Sequence, residues 1–361
     1  MPSFGGMSNV WNTIKEINVG DIRERAEQPV HIAIIGTPED RSAAIRALYS
    51  GPSRYGPAER ALVREYDVPL PRDRQSEVGR SDLALLIVDA RADVSVDAEA
   101  VADKLAILSI PRVVLLIGAD QMPRVDGGNM WYLPGAVTVF APDSQPATLI
   151  KQLAPAIVEQ LPDDLRVAAA RQLPGLRDAV SRVLIGESSF SNASYAFTSG
   201  LSELVPVLNI PLNAADMLVL TKNQALLVYK LALAFGAPAD FQSQMREVMP
   251  VIGGGFLWRQ VARQLIGLIP GFGILPKVAV AYAGTYATGQ TATVWYRSGE
   301  KLSGDALRQL YSQAMQVGRQ RARELINRRK QEKQSPAAQT GETKPLARQP
   351  FWRRFWPFRR K

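Results

Sequence analysis

VHIAIIG (30–36), running directly into TPEDRSAAIRALYS (37–50), decides the fold of this chain. The first piece is an unbroken aliphatic run that ends at a glycine, the mark of a strand buried on both faces, and RSAAIRALYS (41–50) predicts a helix. The same alternation recurs downstream. SDLALLIVDA (81–90) predicts a second strand, DAEAVADKLAIL (97–108) a helix and PRVVLLIGAD (111–120) a third strand. GAVTVFAP (135–142) predicts a fourth strand and PATLIKQLAPAIVEQL (146–161) the closing helix. Uninterrupted aliphatic strands separated by helices form parallel sheets covered on both sides, so residues 26–161 are expected to make one α/β domain.

Working outward, SNVWNTIKEINVGDIRERAE (8–27) places Trp11, Ile14, Ile17 and Ile22 three to five residues apart among charges. This predicts a leader helix within 1–25 that docks on the body. After residue 162 no comparable strand is visible, and Ala, Leu, Gln and Arg recur at helical spacing, which predicts a helical domain over 162–300. A basic amphipathic helix follows in 301–334, with Leu307, Leu310, Tyr311, Ala314, Val317, Ala322, Leu325 and Ile326 on its apolar side. Residues 335–361 read as a polar, Pro-containing linker ending in FWRRFWPFRRK.

The chain has 361 residues, no cysteine and one histidine, His31. That excludes cysteine-based zinc sites, disulfides, thiol nucleophiles and any site needing two histidines. A hydrophobic fraction of 46% is ordinary for a chain that buries a core. The net charge of +9 is uneven. Residues 301–361 carry 16 basic and 4 acidic residues, a balance of +12, whereas residues 1–300 carry 27 basic and 30 acidic, a balance of −3. The excess therefore belongs to one end and points to a local anionic partner. No basic, apolar secretory leader opens the sequence, so the body is expected on the cytoplasmic side.

A sheet of this kind binds ligands beyond the carboxyl ends of its strands, so the turn IIGTPEDRSAAIRAL (34–48) is where phosphate chemistry belongs. Here the order of strands and turns resembles an Era-like small GTPase domain. The resemblance implies a P-loop, Gly-x-x-x-x-Gly-Lys-Ser/Thr, whose amides wrap the phosphates, whose lysine neutralises them and whose hydroxyl holds magnesium. Gly36 is present, but Arg41 stands at the second glycine, Ser42 at the lysine and Ala43 at the hydroxyl. With one residue deleted, Arg41 and Ser42 would replace Lys and Ser in a loop too short to wrap a phosphate. Glu39 and Asp40 add negative charge. The Asp-x-x-Gly turn corresponds to YDVPLP, with Asp67 kept and Leu70 in place of glycine. The guanine-reading Asn-Lys-x-Asp corresponds to IGAD, with Asp120 kept and Ile117 and Gly118 substituted; the final Ser-Ala turn corresponds to Phe140 and Ala141. Only 16 residues separate Tyr49 from Tyr66, little room for a first switch with a magnesium-binding threonine. Gly36, Arg41, Ser42, Asp67 and Asp120 are thus the residues of a relic nucleotide site. GTP or GDP with magnesium is disfavoured, and neither catalytic nor metal-binding residues are expected. Retained weak nucleotide binding and slow GTP hydrolysis are the alternatives.

IPLNAADMLVLTKNQALLVYKLALAFG (210–236) and IPGFGILPKVAVAYAGTYATGQTATVWY (269–296) carry a second resemblance, to the helical domain that follows G domains in YcjF-like bacterial proteins. It rests on the Ile-Pro start of a Leu/Ala-rich helix ending at Gly236, on the turn at Pro270, Gly271 and Gly273, and on a small-residue helix ending in aromatics. It implies membrane association. A span needs about 20 apolar residues. The charge-free run 278–296 has 19 and carries four threonines and a glutamine, and the run 264–276 has 13 and contains Pro270. A hairpin over 264–296, turning at Lys277, that contacts or enters a bilayer is one reading, and a soluble or peripheral bundle is the other. Gly253, Gly254 and Gly255 read as a hinge.

At the end of the chain Phe351, Trp352, Phe355, Trp356 and Phe358 interleave with Arg353, Arg354, Arg359, Arg360 and Lys361. Indoles favour the bilayer interface, and each basic residue near an anionic surface contributes about 1 kcal/mol. The composition is similar to Trp- and Arg-rich antimicrobial peptides, and an anionic membrane lipid is the expected partner, with the protein peripheral to or inserted at the inner membrane. Single-stranded nucleic acid, stacked on the rings, is a disfavoured second partner, and a solvated end without a partner is a third reading. Together these features predict a non-enzymatic, GTPase-like scaffold at the cytoplasmic membrane face that works through a protein partner.

Overall fold

A computed structural model of the chain describes residues 17–51, 54–56, 61–90, 96–121, 135–202, 214–252 and 274–334. As expected, a parallel-sheet α/β region is followed by an all-helical one. The strands are β1 (His31–Ile35), β2 (Leu62–Tyr66), β3 (Leu83–Asp89), β4 (Arg112–Ile117) and β5 (Ala136–Ala141), all parallel, in the order β2-β1-β3-β4-β5. The order reverses between β1 and β3, so the crevice of the sheet opens beyond Ile35 and Asp89. Strand β2 is an addition to the four read from the sequence. As an edge strand it is exposed at Leu62, Arg64 and Glu65, and so lacks the aliphatic run that marks a strand covered on both sides.

Alternation along the strands divides the interior in two. Ile32, Ile34, Leu85, Ile87 and Leu115 face one core, under α2 (Pro38–Tyr49) and α5 (Pro146–Gln160), which are numbered after a first helix α1 (Gly20–Glu27). Ala33, Ile35, Leu86, Val114 and Leu116 face the other, under α3 (Gln75–Val78) and α4 (Val96–Ile107). Thr37 caps α2 and Pro38 occupies its first turn, so the helix starts three residues before the predicted position.

The first core runs on without a break into α6 (Arg166–Gln172), α7 (Arg177–Ser202), α8 (Ala214–Ala234), α9 (Phe241–Ile252) and α10 (Ile274–Ser298). The last helix, α11 (Gly304–Gln334), contributes Leu307, Tyr311 and Ala314. The described part of the leader, Ile17 and α1, packs on α6 and α8. Trp11 and Ile14 lie outside the described residues.

Helix α10 is the axis of the bundle and packs against α7, α8, α9 and α11. Its low charge reflects this enclosure by protein, since a helix without a polar face must be covered all round. Lys277 lies buried in its first turn. No described helix is long and apolar enough to cross a membrane. Residues 264–273 and Gly253, Gly254 and Gly255 lie outside the described residues. On α11, Val317 was expected on the apolar side but is exposed, because the crossing with α10 is made by its neighbour Gly318.

Candidate functional site

The turn after β1 is closed by its own side chains. Arg41 is buried, and its guanidinium donates to four oxygens of the crevice: Gly36 O at 2.6 Å, Tyr66 O at 3.0 Å, Asp67 Oδ1 at 2.5 Å and Glu65 Oε2 at 3.1 Å. Strand pairing makes this convergence possible, because Ile35 stands opposite Tyr66 and the two strand ends deliver their carbonyls side by side. Burial alone would lower the pKa of Arg41, but the hydrogen bonds and charges of Asp67 and Glu65 outweigh it and raise the value further.

Three amides of the turn have acceptors within the protein. Gly36 N donates to Tyr66 O, Arg41 N to Thr37 O, and Asp40 N to Thr37 Oγ1 at 3.3 Å. Thr37 Oγ1 in turn donates to Asp40 Oδ2 at 2.7 Å, so the helix start is capped and its dipole is met by Glu39 and Asp40. Gly36 is pressed on β3: a Cβ there would come within 3.2 Å of Ile87. Leu70, in place of the glycine that would meet a γ-phosphate, is buried in the second core with Tyr66 and Val78. The turn holds a guanidinium, its rim carries Glu39 and Asp40, it contains no lysine, and its hydroxyls, Thr37 and Ser42, donate to Asp40 and Pro38.

Of the five sequence-predicted residues, Gly36, Arg41 and Asp67 come together. Ser42 is exposed and its hydroxyl donates to Pro38 O at 2.8 Å. Asp120 is exposed beyond β4, past Gly118, whose φ of 83° shapes that turn. His31 opens β1 at the opposite end of the sheet, where its amide donates to Asp82 Oδ2 at 2.8 Å. Among the described residues no group of three His, Cys, Asp or Glu side chains is placed to hold a metal. The aromatic-basic end, 351–361, lies outside the described residues.

A second cluster, not read from the sequence, joins the two regions at residues 54–56, between α2 and β2. Arg54 pairs with Glu247 at 2.5 Å and lies over the ring of Trp295 at 4.7 Å. Glu247 Oε1 also accepts from Tyr55 Oη at 3.3 Å and from Trp295 Nε1 at 3.2 Å. Beneath them Arg177, 1% exposed, donates to the carbonyls of Tyr55, Gly56, Ala170 and Ala234 at 3.1 Å each. No acid is among these partners, so burial first and the nearby Arg171 second push the Arg177 pKa down to about 10. Arg171 donates to Leu233 O and Ala237 O, so both arginines meet the negative end of α8. The sequence signal was faint: isolated arginines in Ala/Leu-rich helical stretches look like solvent-facing residues.

No family model and no curated protein matches the chain in comparisons with known proteins.

Proposed function

We propose that this protein is a non-enzymatic scaffold built on a degenerate G domain of the Era-like kind, joined to a YcjF-like helical domain and held at the cytoplasmic membrane face by its aromatic-basic end. The observation that carries the reading is the Arg41 guanidinium, bonded to Gly36, Tyr66, Asp67 and Glu65 where a nucleotide's phosphates would lie. Phosphoryl transfer depends on positioning and on charge neutralisation by magnesium and a loop lysine. Here a cation is present, but its Nε and Nη1 donors are turned to acceptors within the protein. The strand order β2-β1-β3-β4-β5 is compatible with a P-loop-like sheet and supports the reading at the level of fold.

Calorimetric titration of the full chain with GTP, GDP and ATP in magnesium tests it: no heat of binding at micromolar concentrations is expected. Micromolar affinity for GTP together with turnover overturns it. Removal of residues 335–361 is expected to release the protein from membranes on fractionation, and retention on carbonate-washed membranes would overturn attachment through that end.

A further inference from the structure

We infer that the solvent face of α11 is a second, folded contact with an anionic lipid surface. This rests on the membrane reading above and assigns it a further element. Helix α11 lies on α7 and α10 through Leu307, Tyr311, Ala314, Gly318 and Ala322, which fixes the opposite side toward solvent. Every exposed residue described between 312 and 331 is uncharged or basic, including Gln316, Arg319, Gln320, Arg323 and Asn327. The one acid between 312 and 331, Glu324, stands at the border of this side, where it pairs with Arg321 at 2.8 Å and accepts from Gln320 Nε2 at 3.3 Å, so its charge is matched within the helix. At about 1.5 Å per residue this makes a strip roughly 30 Å long whose single bordering acid is paired with Arg321.

Charge and sequence favour lipid over other anions. Residues 1–300 carry a net −3, so an anionic plane repels most of the body and attracts the α11 side. The chain that leaves α11 adds a net +6 over 335–361, with two Trp and three Phe at its end. Arg319 and Arg323, one turn apart on a continuous helix, suit a plane of phosphates, and the exposed residues of the strip include no aromatic side chain on which a base could stack. The folded strip would orient the body, and the aromatic end would give it residence on the surface.

The test uses the full chain and vesicles of phosphatidylglycerol with phosphatidylcholine at physiological salt. An arginine within a Debye length of such a surface is worth about a fivefold change in partitioning, so R319Q/R323Q is expected to bind about 25-fold more weakly. Glutamine keeps helix propensity and both sites are exposed, so the thermal melt should not move. R46Q/R80Q removes the same charge from exposed sites on the α/β region and is expected to bind as the unaltered protein does. Binding of R319Q/R323Q equal to the unaltered protein, or equal losses in both double variants, overturns the role of α11 while leaving membrane attachment standing. A loss confined to single-stranded oligonucleotide binding overturns it in favour of nucleic acid. Failure of the unaltered chain to bind the vesicles overturns the membrane reading itself.

Discussion

Arg41 has exchanged water for two backbone carbonyls and two carboxylates, and hydrogen bonds to charged groups are worth about 1.5–3 kcal/mol where they are shielded. Asp67 is largely exposed and Glu65 half-exposed, so screening trims the ionic share, and the carbonyls of Gly36 and Tyr66 dominate the cost of losing the guanidinium. Arg41→Ala is expected to lose about 2–3 kcal/mol in urea unfolding, with no gain in GTP affinity, because Glu39 and Asp40 remain. A change below about 0.5 kcal/mol would show that the cluster contributes nothing. A second residue reports through pH. Burial raises the Glu187 carboxyl above its ordinary 4.5 and outweighs the attraction of Arg166. The folded state therefore binds more protons than the unfolded one in that window, and the stability present at low pH is lost as pH rises through the raised pKa. Glu187→Gln should lack this loss, so its stability relative to the unaltered protein should climb between pH 4 and pH 7 in parallel melts. A constant difference would sink the assignment. At this scale Gly36, Arg41 and Asp67 could be picked out together from a resemblance, and the structure brings the three side by side. The use to which Arg41 is put was not legible, because it depends on β2 delivering Glu65 and the Tyr66 carbonyl.

Among the elements, α10 shows what packing adds to composition. Its small residues suit a membrane helix or a tight bundle equally, and here they admit neighbours. A Cβ on Gly289 would come within 2.6 Å of Ile185, and one on Gly318 of α11 within 2.8 Å of the Ala279 carbonyl oxygen. Gly186, inside α7, faces nothing within 4 Å. The three glycines therefore predict opposite signs. Gly186→Ala should stabilise by about 0.5–1 kcal/mol through helix propensity, and Gly318→Ala should destabilise by about 1–3 kcal/mol, because a backbone oxygen cannot rotate away. Gly289→Ala should fall between them, since flexible Ile185 and Leu227 atoms can yield. Thermal unfolding of the three variants checks the order, and a destabilised Gly186→Ala would contradict the open space around that position. The long helices and doubly covered strands were legible because burial writes a period into the sequence. Strand β2 was not, because an edge strand carrying Arg64 and Glu65 has the composition of a loop.

Across the whole molecule the question is whether sheet and bundle behave as one body. The first core includes Ile32 and Leu85 of the sheet together with Phe235 and Ala287 of the bundle, so hydrophobic burial crosses the boundary. The segment 54–56 crosses it in the other direction, from the α/β region onto α9 and α10 through Glu247 and Trp295. Arg177 ties the two by donating at once to Tyr55 and Gly56 on one side and to Ala170 and Ala234 on the other. Gly236, at φ 84°, leaves room for this: a Cβ there would come within 2.6 Å of Gly56 O. Removing Arg177 strands several buried carbonyls, at about 1–3 kcal/mol each, but also relieves a charge whose burial is itself costly, so Arg177→Met should lose about 2–4 kcal/mol in all. The loss should be shared. Calorimetry of the unaltered protein should give one cooperative transition, whereas Arg177→Met should broaden or split it, and amide exchange should quicken at 54–56 and along α8 together. Glu247→Gln should loosen 54–56 alone, by about 0.5–1 kcal/mol, because its partners are partly exposed. Two transitions in the unaltered protein, or faster exchange confined to α7 in Arg177→Met, would mean that sheet and bundle are independent and that the segment 54–56 only rests against the helices.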